Sequence, residues 1–306
     1  MRNIRTLVCT IMILILTACT VGNALAANER CRIVCTSFPC YDCARAVAGE
    51  SAEVRLLIKP GAEVHSYEPT PADVLAIADC DLFVYVGGES DTWVEDILDT
   101  FGDDAPRKLR FFDCVQTLEE AEHDEEHDHA VEYDEHIWTS PKNAVRMVKA
   151  MQDELCAIMP GMEEQLQANA QAYIDQIEEI DAAFEHVVES GKRREMIFAD
   201  RFPFLYFAKE YDIEWYAAFD SCSSESEPSA KTMMELLNRI VEDDIPVVYT
   251  IELSNEKTAK AIADETGVEI CTFYSVQNVT EADFSAVESY VSLMLKNVAA
   301  LERGLN

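Results

Sequence analysis

His65 stands four residues beyond Pro60-Gly61, the pair that stops the apolar run Leu56-Leu57-Ile58. Such a run reads as a buried strand and Pro-Gly as a tight turn. His65 therefore lies on a loop leaving a strand end, where open α/β sheets place their ligand-binding groups. Pro69 and Asp73 then open a helix. A second stretch, Asp134-Glu135-His136-Ile137-Trp138-Thr139-Ser140-Pro141, offers another imidazole. Two imidazoles would hold half of a four-coordinate site, and neutral imidazole suits Zn²⁺ well and Mn²⁺ less well.

The elements that must position these residues alternate between strand and helix. Strand-like apolar runs occur at Ile33-Val34, Val54 to Ile58, Leu82 to Val86 and Leu109 to Phe112, and again at Met196 to Phe198, Trp215 to Ala218, Val247 to Ile251 and Ile270 to Phe273. Helical patterns near 41–48, 71–79 and 92–100 separate the first set. Others near 203–211, 228–243, 256–266 and 282–302 separate or follow the second. Such alternation predicts an α/β protein of two lobes, each a mostly parallel four-stranded sheet flanked by helices. Between them, apolar residues at 166, 170, 173, 177, 180, 184 and 187 mark one long amphipathic helix, Met162 to Val188. At 1.5 Å per residue it is roughly 40 Å long, enough to run beside both lobes, and Gly191-Lys192-Arg193-Arg194 ends it. The expected layout is a signal at 1–18, a metal-binding lobe at 19–159, a linking helix at 160–190 and a second lobe at 191–306.

Together the His65 and His136 stretches resemble the metal-binding cluster of the zinc and manganese solute-binding lipoproteins of ABC transporters (cluster A-I receptors, zinc type). In that family a PGxxxHxYEP-like and a D-x-H-x-W-x-x-P-like segment each give one imidazole to a bound ion. The resemblance runs from about Val34 to the C-terminus. It implies a rigid helical link and small lobe movements on metal binding.

It also implies ligands from the second lobe, and here the chain departs from the pattern. An HDAxxYF-like segment gives zinc-type relatives a third His, and manganese-type relatives have Glu there. This chain reads Phe198-Ala199-Asp200-Arg201-Phe202-Pro203-Phe204-Leu205-Tyr206-Phe207. Aligned from either end, the ligand falls on Ala199 or Arg201, neither of which can serve. Asp200 lies between them as the candidate, with capping of the next helix as its structural alternative. The usual fourth ligand, an Asp after the last strand, is missing from Thr272 to Asn278. Tyr274 there could ligate only as a phenolate. Glu252 ends a strand facing the cleft and would bind the ion or hydrogen-bond a ligating His, the latter being favoured. Glu225 and Glu227 read as the start of the next helix. The stretch Glu119 to His129 is polar and aperiodic, within an acidic loop at 115–133. Zinc-type relatives carry a His- and acid-rich loop at this place, so His123, His127 and His129 favour zinc, held there as a second, weaker ion or passed on. His186 reads as a surface residue.

Arg2 and Arg5 before the apolar run Leu7 to Leu16 make a secretory signal, too short to span a membrane. Leu16-Thr17-Ala18-Cys19 then fits the bacterial lipobox, in which Cys19 is acylated; a competing cut follows Ala26. Lys and Arg number 24 against 58 Asp and Glu, a formal net charge of -34. That surface repels nucleic acid and anionic lipid headgroups and attracts cations. Of eleven cysteines, Cys9 and Cys19 belong to export, leaving Cys31, Cys35, Cys40, Cys43, Cys80, Cys114, Cys156, Cys222 and Cys271. The early four do not fit a zinc ribbon. Cys40-Tyr41-Asp42-Cys43, in a first helical turn, is a place for redox chemistry, but buried small hydrophobes or a local disulfide are favoured.

The expected function is capture of Zn²⁺, with Mn²⁺ second, by a monomeric receptor tethered by lipid to the outer face of the cytoplasmic membrane. Its partner is an ABC permease. The alternatives are a surface adhesin of the same fold and a metal-dependent hydrolase. Against the hydrolase stands the lack of HExxH or a paired metal motif.

Overall fold

In the computed structural model, residues 30–120, 133–219 and 227–306 are described. The expected signal segment, Cys19, His123, His127, His129, Cys222 and Glu225 lie outside them.

The first lobe runs β1 (Cys31–Cys35), α1 (Phe38–Ala48), β2 (Ala52–Leu56), α2 (Pro71–Ala78), β3 (Leu82–Tyr85), α3 (Thr92–Phe101), β4 (Arg107–Arg110) and α4 (Pro141–Ile158). Its strands pair in parallel in the order β2-β1-β3-β4. Alternation explains why: Ile33, Cys35, Leu82 and Val84 enter one core, while Val34, Phe83 and Tyr85 enter the core on the opposite face. A sheet apolar on both faces must be covered on both, which is the condition under which parallel sheets form.

The second lobe repeats the plan with β5 (Glu195–Arg201), α6 (Leu205–Tyr211), β6 (Glu214–Phe219), α7 (Ala230–Glu242), β7 (Val247–Thr250), α8 (Lys257–Thr266), β8 (Glu269–Thr272), α9 (Glu281–Ser285) and α10 (Tyr290–Leu305). Its parallel order is β6-β5-β7-β8. The expected long helix is α5 (Glu163–Ser190), packed on α1 and α4 and on α10. Its stripe from Leu166 to Val188 belongs to one continuous core that both lobes share. Asp42, buried in α1, accepts from Tyr173 of α5 and from the Tyr290 backbone at 2.9 Å, so one carboxylate ties three helices.

Three local readings differ from the sequence. α4 was not expected, although Ser140 caps it by accepting from the Asn143 backbone and Pro141 sits in its first turn. The expected helix 282–302 is broken at 286–289, where Val287 has φ 59 and Ser289 starts α10 with a capping box. Ser229, not Glu227, caps α7; Glu227 pairs with Lys257 instead.

All eight described cysteines are free thiols, and five of them are buried. Burial pushes the Cys40 thiol up to about 12, despite its place in the first turn of α1. Desolvation overrides the helix terminus, so Cys40 and Cys43 act as small hydrophobes here and not as a redox pair.

Candidate metal centre

The carboxyl ends of the two sheets face each other, and the loops leaving them build the site. His65 comes from the loop after β2, Ser90 from the loop after β3, and Glu135 and His136 from the approach to α4. From the second lobe come Arg201 at the end of β5 and Gln277 after β8. The rings of His65 and His136 lie 6.0 Å apart, and ligand atoms of His65, Glu135 and His136 all lie within 4.8 Å of one another.

Hydrogen bonds assign the tautomers. Ser90 donates its hydroxyl proton to Glu135 Oε1 at 2.5 Å, so at 3.1 Å from His65 Nδ1 its oxygen can only accept. His65 thus carries its proton on Nδ1 and presents the Nε2 lone pair, which lies 3.4 Å from Gln277 Nε2. In the same way, Asp134 Oδ1 lies 3.3 Å from His136 Nδ1 and holds the proton there. His136 Nε2 is buried and has no hydrogen-bond partner among the described residues. A buried polar atom without a partner costs on the order of 1–3 kcal/mol. A metal ion relieves that cost, and neutral imidazole with carboxylate is a donor set that fits zinc.

Electrostatics act differently on the two rings. Burial lowers His65 below the ordinary histidine value, with Glu135 opposing and the His136 ring and Arg201 assisting. For His136 burial pulls down too, but the Asp134 carboxylate wins and holds it above that value.

Glu135 is 3 % exposed. Its Oε2 accepts from the Ser90 backbone at 2.8 Å and its Oε1 from Gln277 Nε2 at 2.9 Å. The chain makes room for it at Gly88, where an added Cβ would stand 2.2 Å from the Glu135 Cβ.

The other sequence candidates lie outside the close group. Asp200 accepts from the Arg201 backbone at 2.9 Å. It does not cap α6, whose N-cap position is Phe204. Glu252 is buried and accepts from Ser275 N and Ser275 Oγ, both at 2.6 Å, while Ser275 Oγ accepts from Gln277 N at 3.2 Å. It braces the loop that carries Gln277 and hydrogen-bonds neither histidine. Burial raises its carboxyl to about 6. Tyr274 is tied through its backbone to Asn297. Sequence reasoning passed over Glu135, Ser90, Gly88 and Gln277. Only Glu135 carried a signal, as a carboxylate beside His136.

The chain is 32% identical over 309 residues to the zinc-binding lipoprotein AdcA of Streptococcus pneumoniae, covering 99% of this chain and 61% of that protein. It thus spans less than two thirds of the length of that relative. The high-affinity zinc uptake system protein ZnuA of Bacillus subtilis is 27% identical over 296 residues, with 94% of this chain and 91% of that protein covered. The crystal structure of the Zn(II)-bound ZnuA-like domain of the S. pneumoniae AdcA superposes with a TM-score of 0.76 at 31% identity, covering 90% of this chain and 99% of that one. The model of the zinc-uptake complex component A (periplasmic), ZnuA, matches residues 33–304, and the chain belongs to that family.

Proposed function

We propose that the protein is an extracytoplasmic zinc receptor that captures Zn²⁺ between its lobes and delivers it to the permease of an ABC importer. The carrying observation is the pair of imidazoles, each with Nδ1 committed to a hydrogen bond so that Nε2 is the coordinating atom, that of His136 buried and without a partner among the described residues. Nothing beyond reversible coordination is required. The family, and the names of relatives that bind or take up zinc, support the cargo; Mn²⁺ is second choice, since imidazole suits it less well. The Leu16-Thr17-Ala18-Cys19 pattern supports a lipid anchor on Cys19 at the outer face of the cytoplasmic membrane, where the receptor would work as a monomer.

The test is metal content and chelator competition on the purified protein beside a His65→Ala, His136→Ala double variant. One tightly held zinc in the parent, lost in the variant, is expected. Equal zinc in both would overturn the reading.

A further inference from the structure

We infer that Glu135 is the third ligand, so that the cation is held by the first lobe alone and the second lobe covers it without ligating. The inference rests on the receptor reading above.

The carboxylate is placed as a ligand would be. Ser90 N, Ser90 Oγ and Gln277 Nε2 occupy three of the roughly four lone-pair positions of a carboxylate. One remains for a cation, in the close group with the two histidines. Tetrahedral coordination at about 2.1 Å sets donor separations near roughly 3.4 Å. One ligand atom from each residue already lies within 4.8 Å of the others, so they need to close by at most roughly 1.4 Å to meet one ion.

Charge points the same way. Glu135 is buried, and the charge-capable partner it meets is His65, whose Nδ1 lies 3.7 Å from its Oε1. A buried carboxylate without a cation is costly. A divalent ion between Glu135 and the two imidazoles supplies the missing charge.

Among the described residues, the second lobe brings no imidazole, thiol or carboxylate into the close group. Arg201 has no lone pair to give and spends its charge on Glu63, Nη2 to Oε2 at 3.3 Å. Gln277 turns its amide nitrogen to Glu135 and so hydrogen-bonds a ligand instead of replacing one.

The experiment measures Zn²⁺ affinity by chelator competition, and the visible absorption of the Co²⁺-loaded protein, for the parent, Glu135→Gln, Gln277→Ala and Arg201→Ala. The His65→Ala, His136→Ala variant serves as the separate control on the receptor reading. Glu135→Gln is expected to weaken Zn²⁺ by roughly a hundredfold or more, beyond the loss typical of a residue that only orients a ligand, and to shift the Co²⁺ bands at saturation. Gln277→Ala and Arg201→Ala should stay within about tenfold of the parent with unshifted bands. An unchanged affinity for Glu135→Gln overturns the inference, and so does a weakened affinity with unshifted bands, because Glu135 would then only position its neighbours. A band shift in Gln277→Ala overturns the one-lobe assignment. Should the double histidine variant keep its zinc, the receptor reading itself fails, and that result is distinguishable from all of these.

Discussion

Arg201 reaches across the cleft to Glu63, Nη2 to Oε2 at 3.3 Å, and places a fixed positive charge at the mouth of a site built for a cation. Glu63 Oε1 in turn accepts from the His65 backbone at 3.4 Å, so the pair sits directly beside a ligand. Arg201→Ala removes the like charge and leaves Glu63 free. Zinc affinity is expected to rise by roughly three- to tenfold at low salt, with the gain shrinking as ionic strength screens it. The pair is partly exposed, so its loss should cost at most about 1 kcal/mol of stability. Titration at two salt concentrations checks this; a lower affinity in the variant would count against it.

Protons should compete with zinc first at His136. Burial lowers its pKa, but Asp134 more than offsets that, so His136 begins to protonate above the ordinary histidine value while His65 follows below it. Zinc needs both rings neutral, so affinity should fall by about tenfold per pH unit once His136 titrates and more steeply when His65 joins. In the metal-free protein the sign is opposite: the raised His136 value stabilises the fold at low pH, and that contribution is lost as pH rises through it. Asp134→Asn should move the onset of zinc loss to lower pH. Superimposable affinity profiles between pH 8 and 5 for parent and variant would refute the coupling.

Glu252 should make the metal-free fold less stable above about pH 6. Its carboxyl is raised from 4.5 to about 6 by burial, so between those values the folded chain holds a proton the unfolded chain has lost. Stability therefore falls as pH climbs through that window, by on the order of 2 kcal/mol. Glu252→Gln can still meet Ser275, whose hydroxyl donates or accepts, and should remove this part of the pH dependence. Denaturant melts at pH 5 and 7.5 compare the two gaps; equal gaps would show that burial of Glu252 is not the cause.

Gly88→Ala should act at a distance of one side chain. The added Cβ falls 2.2 Å from the Glu135 Cβ, so Glu135 must move away from Ser90. Overpacking of this kind costs about 1–3 kcal/mol, and zinc affinity should drop at least about tenfold. Retained affinity with a lowered melting temperature would mean that the site tolerates a displaced Glu135.

The two sheets were legible because their strands are apolar on both faces and separated by helical periods, a pattern that survives without any partner in view. Helix α4 escaped because its cap, Ser140-Pro141, was read only as part of the His136 motif. Both histidines carried motif signals. Ser90 and Gln277 carried none, and Glu135 showed only as a carboxylate beside His136, because their roles depend on loops that meet only after both sheets have formed; Ser90 and Glu135 are 45 residues apart, and Glu135 and Gln277 are 142 apart. No local pattern encodes such a meeting. Cys40 and Cys43 show the converse, a suggestive spacing whose chemistry burial cancels.

The loop Phe273 to Val279 is fastened to the first lobe mainly through its backbone. Phe38 N donates to Gln277 O at 3.3 Å, Gly61 N to Val279 O at 2.8 Å and Trp138 Nε1 to Ser275 O at 2.7 Å. Asn278 adds bonds to the carbonyls of Lys59 and Ala62. None of these uses the side chain at position 277. These backbone bonds do not depend on which side chain stands at 277, and Gln277 adds its own bonds to Glu135 and His65. In such an architecture, metal preference can drift across generations while the shape of the receptor stays fixed.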